Sequence, residues 1–248
     1  MKKICVIGNS HVGTLKKGYD SLEKKTYVAH FWAIPGGGGP RISIEENKIL
    51  AREKDWNKIQ TDIEPFPGTT LDILDYDAIL LSGVGMPPIR NDREMIHNHY
   101  LAAGFIDGKV HGVRQVLSKT VFSQLISFTF HKRSSFQNIE KIESIFKKKI
   151  FIQLTPLPTS NVVNRPDFDL HDYGHNLGRF LFWYYNQQCL VIEESFRNKN
   201  ISLVKYPADL VENGFTPVGY QNYNDAWHMN DKFGALFMGK LLHDLLFL

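Results

Sequence analysis

The stretch Ile4-Cys5-Val6-Ile7-Gly8-Asn9-Ser10-His11-Val12-Gly13 decides how this chain is read. Four apolar residues in a row, stopped by a glycine, are the pattern of a strand buried on both faces. Beyond it, Val12, Leu15, Tyr19 and Leu22 recur at spacings of three and four, which predicts a helix with one apolar face. A buried strand that turns through a few polar residues into a helix is the opening unit of a parallel α/β sheet.

The same grammar recurs downstream. Thr26 to Ile34 reads as a second strand, closed by Pro35 and the run Gly36 to Gly39. Ala78-Ile79-Leu80-Leu81 is a third, running into Gly83-Val84-Gly85. Ile150-Phe151-Ile152-Gln153-Leu154 is a fourth and ends at Pro156 and Pro158, while Ile201 to Val204 suits a fifth. Helices are expected over 92–103, 112–126, 135–148 and 172–199. A last one starts at Asn230 or Asp231, either able to cap it, and carries Phe233, Leu236, Phe237, Leu241 and Leu245 on one side. The expected fold class is α/β, a three-layer α/β/α domain around a mostly parallel sheet, with 1–248 as a single domain. Ligands in such sheets bind beyond the carboxyl ends of the strands, so function belongs at Gly8-Asn9-Ser10, the glycine run, Gly83-Val84-Gly85 and Leu154-Thr155-Pro156.

Composition narrows the function classes. With 43% hydrophobic and 22% charged residues in 248, the chain can bury a sizeable core, which excludes wholesale disorder. Lys+Arg exceed Asp+Glu by 29 to 26, and a formal charge of +3 is too weak a bias to imply nucleic acid. The basic stretch from Lys132 to Lys149 interleaves with Ile139, Ile142 and Phe146, the pattern of an amphipathic helix with a solvated face. Cys5 and Cys189 suffice neither for a disulfide framework nor for a four-cysteine zinc site, and they suit a reducing compartment. The apolar run after Met1-Lys2-Lys3 stops at Gly8, and no segment approaches the roughly 18 apolar residues of a membrane span. A cytoplasmic protein with no membrane span and no nucleic-acid partner is expected; oligomeric state stays open.

Ser10 stands where the first strand meets the first helix. Amides there are unpaired, and the positive end of the helix dipole favours a negative oxygen. Such a place suits first a serine that only caps the helix, and also a nucleophile whose own N–H stabilises an oxyanion. Nucleotide binding fits less well. Gly8-Asn9-Ser10-His11-Val12-Gly13 lacks the middle glycine of G-x-G-x-x-G and the Gly-Lys-Ser/Thr of a P-loop. His171 and His175 share the i, i+4 spacing of metal-ligand pairs but have no third ligand in their motif. No cofactor or metal is expected.

Near the other end lies Asp225-Ala226-Trp227-His228, just ahead of the final helix. Three residues apart on a turn, the carboxylate can accept the histidine's Nδ1–H and leave Nε2 free to take a serine proton. Alone, D-x-x-H is a weak signal. Paired with a Gly-x-Ser after the first strand, it is far more specific.

Here the sequence resembles the SGNH (GDSL-type) hydrolase superfamily. That family carries a G-D-S-like block after the first strand, a glycine block after the second, G-x-N-D after the third and D-x-x-H near the C-terminus. Gly8-Asn9-Ser10-His11 is similar to the first block, with Asn9 where aspartate is commoner. Pro35-Gly36-Gly37-Gly38-Gly39 is similar to the second and Asp225-Ala226-Trp227-His228 to the last. The resemblance implies Ser10 as nucleophile, His228 as general base and Asp225 as its orienter. It implies oxyanion donors from the Ser10 amide and from the glycine run at Gly37, with Gly38 beside it. The third block departs: Gly85 stands where the family has asparagine, so a Gly85 amide or a side chain such as Asn91 or His97 replaces that donor, or catalysis is weakened. His11 and Asn9 are candidates for lining the pocket, a structural role for His11 being the alternative. The activity implied is a serine-dependent ester hydrolase or O-acyltransferase on small acyl esters, acetyl foremost, of a carbohydrate or another small molecule. A catalytically silent module that binds a glycan or partner is the alternative.

Overall fold

The computed structural model describes residues 1–33, 42–51, 70–85, 100–107, 110, 114–165 and 170–247. Its centre is a five-stranded sheet of β1 (Lys3–Gly8), β2 (Val28–Ala33), β6 (Ala78–Val84), β9 (Lys149–Leu154) and β10 (Ile201–Leu203). These run in the spatial order β10-β9-β6-β1-β2, and every neighbouring pair is parallel. Alternate side chains of β1 serve opposite layers. Cys5 and Ile7 join a core with Ile79, Leu81, Ile150 and Ile152, while Ile4 and Val6 join another with Phe31, Leu80 and Phe151. Burial on both faces explains why the strands read as unbroken apolar runs. The architecture is therefore three-layered, α/β/α.

One layer holds α2 (Lys119–His131), α3 (Ser134–Ile145) and α4 (Leu177–Ser195). The aromatic run of α4 is core, as its density in the sequence suggests: Phe180 stacks on Tyr173 at 3.9 Å between ring centroids and meets Phe105 and Phe122 edge-on. Opposite lie α1 (His11–Asp20), α5 (Asp231–Leu236) and α6 (Leu242–Phe247), the last two joined by a π-helical turn over Phe237–Leu241. Asn230 caps α5, its side chain accepting from the Phe233 amide at 3.2 Å. The π turn inserts a residue, so the buried stripe begun by Phe233 and Phe237 passes to Met238, Leu242 and Leu246. The stripe expected through Leu241 and Leu245 falls on side chains outside those described.

Several expectations require correction. Residues 92–103 do not form one helix, because Tyr100–Ala102 is strand β7, paired in parallel with β8 (Gln115–Leu117). The helix expected from 112 begins only at Lys119, where Ser118 caps it by accepting from Val121. A three-residue strand of Gln115, Val116 and Leu117 has no period of its own, so it reads as the helix it precedes. The segment expected as helix over 172–199 opens with a 3-10 turn at His171–Asn176, broken by Gly174 at φ 45°, before α4 begins. A small antiparallel sheet of β3 (Ile42–Glu45), β4 (Lys48–Ala51) and β5 (Thr70–Asp72) was not expected; its hairpin turns at Glu46, a non-glycine residue at φ 51°.

Among the described residues no helix is long and apolar enough to cross a membrane. Both cysteines are buried free thiols, and burial pushes the Cys189 thiol up to about 12.

Candidate active site

The strand order puts the first strand's carboxyl end beside a reversal. From β1 the chain passes outward to β2 and then returns across β1 to β6, so connections leave β1 and β6 toward opposite sides of the sheet. Ligands bind at such reversals, and Gly8-Asn9-Ser10 lies at this one. Ser10 is the residue before α1, in helical conformation, with its side chain making no capping bond. The helix start is served by Asn9 instead, whose Oδ1 accepts from the His11 amide at 3.1 Å while its Nδ2 donates to the Gly83 carbonyl at 3.0 Å. Asn9 therefore spends its amide on backbone and ties β1 to β6.

The Ser10 hydroxyl lies 2.7 Å from His228 Nε2. On the far side of the ring, His228 Nδ1 lies 2.6 Å from Asp225 Oδ2. A carboxylate only accepts, so the neutral ring carries its hydrogen on Nδ1 and presents the Nε2 lone pair to the serine O–H. Burial acts to raise the Asp225 carboxyl, but bonds from the Trp227 amide, the His228 ring and the His228 amide outweigh it and hold the group below its ordinary value. Those amides reach Oδ1 at 3.0 and 3.3 Å. Ser10, His228 and Asp225 thus form one hydrogen-bonded chain, although 218 residues separate its first two members.

Two contacts bring the distant segments together. Asp225 and His228 lie on β12 (Asp225–Met229), which pairs antiparallel with β11 (Gln221–Asn222) through a turn with Asn224 at φ 52°. They are thus on an extended strand rather than the turn expected. Thr14 Oγ1, one turn along α1 from Ser10, donates to the Met229 carbonyl at 2.7 Å. Further on, α1 and α5 touch backbone to backbone: a Cβ on Gly18 would come within 2.1 Å of the Ala235 nitrogen, and one on Gly234 within 2.1 Å of the Thr14 carbonyl oxygen. Glycine at both positions is what allows this approach.

His11 is buried against the site. It is 8% exposed, its ring tilted against His228 at 4.9 Å between centroids. Burial first, then the neighbouring His228 imidazole, push its pKa down to about 3 against the pull of Asp225. The ring is neutral, and it walls one side of His228.

Gly85 adopts φ 111°, and a Cβ there would meet the side-chain oxygen of Gln188 at 2.7 Å. Gln188 is a buried residue of α4. Gly37 and Gly38, with the rest of the glycine run, and Asn91 and His97 lie outside the described residues. Arg165, which the sequence offered no reason to single out, stands with a guanidinium nitrogen 3.7 Å from Asp225 Oδ1. Of the histidines at 171 and 175, His175 Nδ1 pairs with Asp107, and the intervening Asp172 pairs with Arg114 at 2.9 Å.

No known family model, curated protein or solved structure matches this chain.

Proposed function

We propose that the protein is a serine-dependent ester hydrolase or O-acyltransferase acting on small acyl esters, acetyl foremost, of a carbohydrate. The observation that carries this is the hydrogen-bonded chain from Ser10 Oγ through His228 to Asp225. In the first step Ser10 Oγ attacks the acyl carbonyl carbon as its proton passes to His228 Nε2. The carbonyl oxygen takes up the electron pair as an oxyanion, and the imidazolium that forms is stabilised by ionised Asp225. The Ser10 amide, at the start of a ten-residue helix, is the donor suited to that oxyanion. Collapse of the adduct expels the alcohol, which takes its proton from His228 and leaves an acyl-serine. Water, or a sugar hydroxyl in a transferase, then attacks the acyl group by the same path and restores Ser10. The acetyl and carbohydrate parts rest on the resemblance to SGNH hydrolases; the Ser-His-Asp geometry supports acyl transfer as such.

A second reading, a glycan- or partner-binding module without turnover, draws on one observation: Gly85 has no side-chain donor where the family has asparagine. Losing such a donor raises the barrier by about 2.7–4 kcal/mol. Release of p-nitrophenol from p-nitrophenyl acetate separates the two. The enzyme reading expects His228→Ala to slow turnover at least about a thousand-fold. Equal, near-background rates for wild type and His228→Ala favour the binding module.

A further inference from the structure

We propose that the groove along the exposed side of α1 is the subsite for the alcohol half of the ester, that it takes a hydroxyl-rich, sugar-like alcohol, and that Gly13 sets what fits there. The proposal rests on the reading of Ser10 and His228 as nucleophile and base. The groove is lined by both of them and continues past Gly13 and Lys17 to Asn222 and Asp231. Its direction follows from the chemistry. His228 returns its proton to the leaving oxygen, so the alcohol has to lie on the imidazole's side of Ser10. The groove that His228 and Ser10 both line is on that side.

The lining defines the occupant. Met229 is the one apolar side chain among the lining residues, and it is buried. The Lys17 ammonium and the Asn222 and Asp231 side chains can bond hydroxyls, whereas a fatty or aryl alcohol would find no exposed apolar partner. Lys16 and Asp20 pair with each other, and Thr14 and Asn230 bond backbone. Lys16 and Lys17 are balanced along the groove by Asp20 and Asp231, so no net charge selects an anion.

Gly13 supplies the independent observation. It sits inside α1, where glycine is the poorest residue after proline. Gly18 in the same helix has a packing reason, since its Cβ would strike the α5 backbone. Gly13 has none: a Cβ there would meet no described atom within 4 Å. It lies three residues after Ser10, hence on the same face of the helix. The empty place above it belongs to the groove floor, beside the reacting hydroxyl.

The test compares acetate release from methyl acetate and from acetylated xylotetraose, which share an acyl group and differ in the alcohol. Gly13→Ala is expected to raise the melting temperature, through better helix propensity, and yet to lower the tetraose-to-methyl ratio of kcat/KM about ten-fold. Gly13→Leu lowers that ratio further. An unchanged ratio in Gly13→Leu overturns the subsite. If neither ester is cleaved faster by wild type than by Ser10→Ala, the hydrolase reading fails, and calorimetry with unacetylated xylotetraose then decides the subsite alone. Binding by wild type that weakens at least about ten-fold in Gly13→Leu upholds it. Equal binding by the two, or none by wild type, overturns it.

Discussion

His11 ties the chemistry of one residue to the stability of the whole. The unfolded chain takes up a proton at the ordinary imidazole value of 6.5, whereas the folded chain resists until about 3. The stability carried by the neutral ring is therefore complete above pH 6.5 and lost as the pH falls toward 3, by on the order of a few kcal/mol. Asp225, held below its ordinary value, adds a loss of the same sign at pH values under the usual carboxylate range. Melting temperatures measured from pH 7 to 4 are expected to fall more steeply for wild type than for His11→Gln. Parallel curves would show that His11 titrates normally. At this scale Ser10, His228 and Asp225 were legible because their residue types and positions between elements follow from the chemistry they suit. His11 was not. A histidine after a candidate nucleophile can point either way, and only the packing of the final strand against α1 shows that it backs the imidazole. Arg165 carried no local signal, since its link to Asp225 spans 60 residues of chain and exists only in three dimensions.

Between elements, the crossing of α1 and α5 sets the site. Gly18 and Gly234 let the two backbones touch, and that contact holds Thr14 against Met229 and Ser10 against His228. A methyl group at either glycine has backbone rather than a flexible side chain in its way, so the helices must separate. Gly18→Ala is expected to cost about 1–3 kcal/mol in urea unfolding, as overpacking does. Because a displacement near 1 Å is enough to spoil the Ser10–His228 bond, ester turnover should fall about a hundred-fold even where the fold survives. Gly13→Ala, five residues earlier on the same helix, is expected to move stability the opposite way. Opposite responses from two alanines in one helix would be hard to obtain from propensity alone. Either glycine in isolation reads as a helix defect in the sequence; their pairing across the crossing becomes visible only once both helices are placed. The elements the sequence misjudged share one trait, brevity. Strands of three residues such as Tyr100–Ala102 and Gln115–Leu117 hold too few positions to show a period.

Over the whole molecule, the parallel sheet was legible because burial on both faces writes each strand as an apolar run closed by a turn former. The order of those strands was not, since nothing local says which of them lie side by side. That order places β1 between β2 and β6, so that Ser10 follows β1 at the point where the connections reverse. The final segment seals the arrangement: Phe237, Met238, Leu242 and Leu246 share a core with Ile4, Val6 and Phe31, and the Tyr27 hydroxyl donates to the Met238 carbonyl at 2.6 Å. Each such side chain contributes about 1.5–3 kcal/mol on burial, against a total stability of roughly 5–15 kcal/mol. Removing residues 237–248 should therefore abolish cooperative thermal unfolding by circular dichroism; a retained sharp transition would mean that the rest of the chain folds without its end. The central claim, that a hydroxyl beside the first strand is activated by an imidazole from the last, is tested most directly by a fluorophosphonate probe and mass spectrometry. The account expects one adduct, on the peptide containing Ser10, absent in Ser10→Ala and formed at least about a hundred-fold more slowly in His228→Ala. No adduct on Ser10, or equal labelling with and without His228, would contradict it.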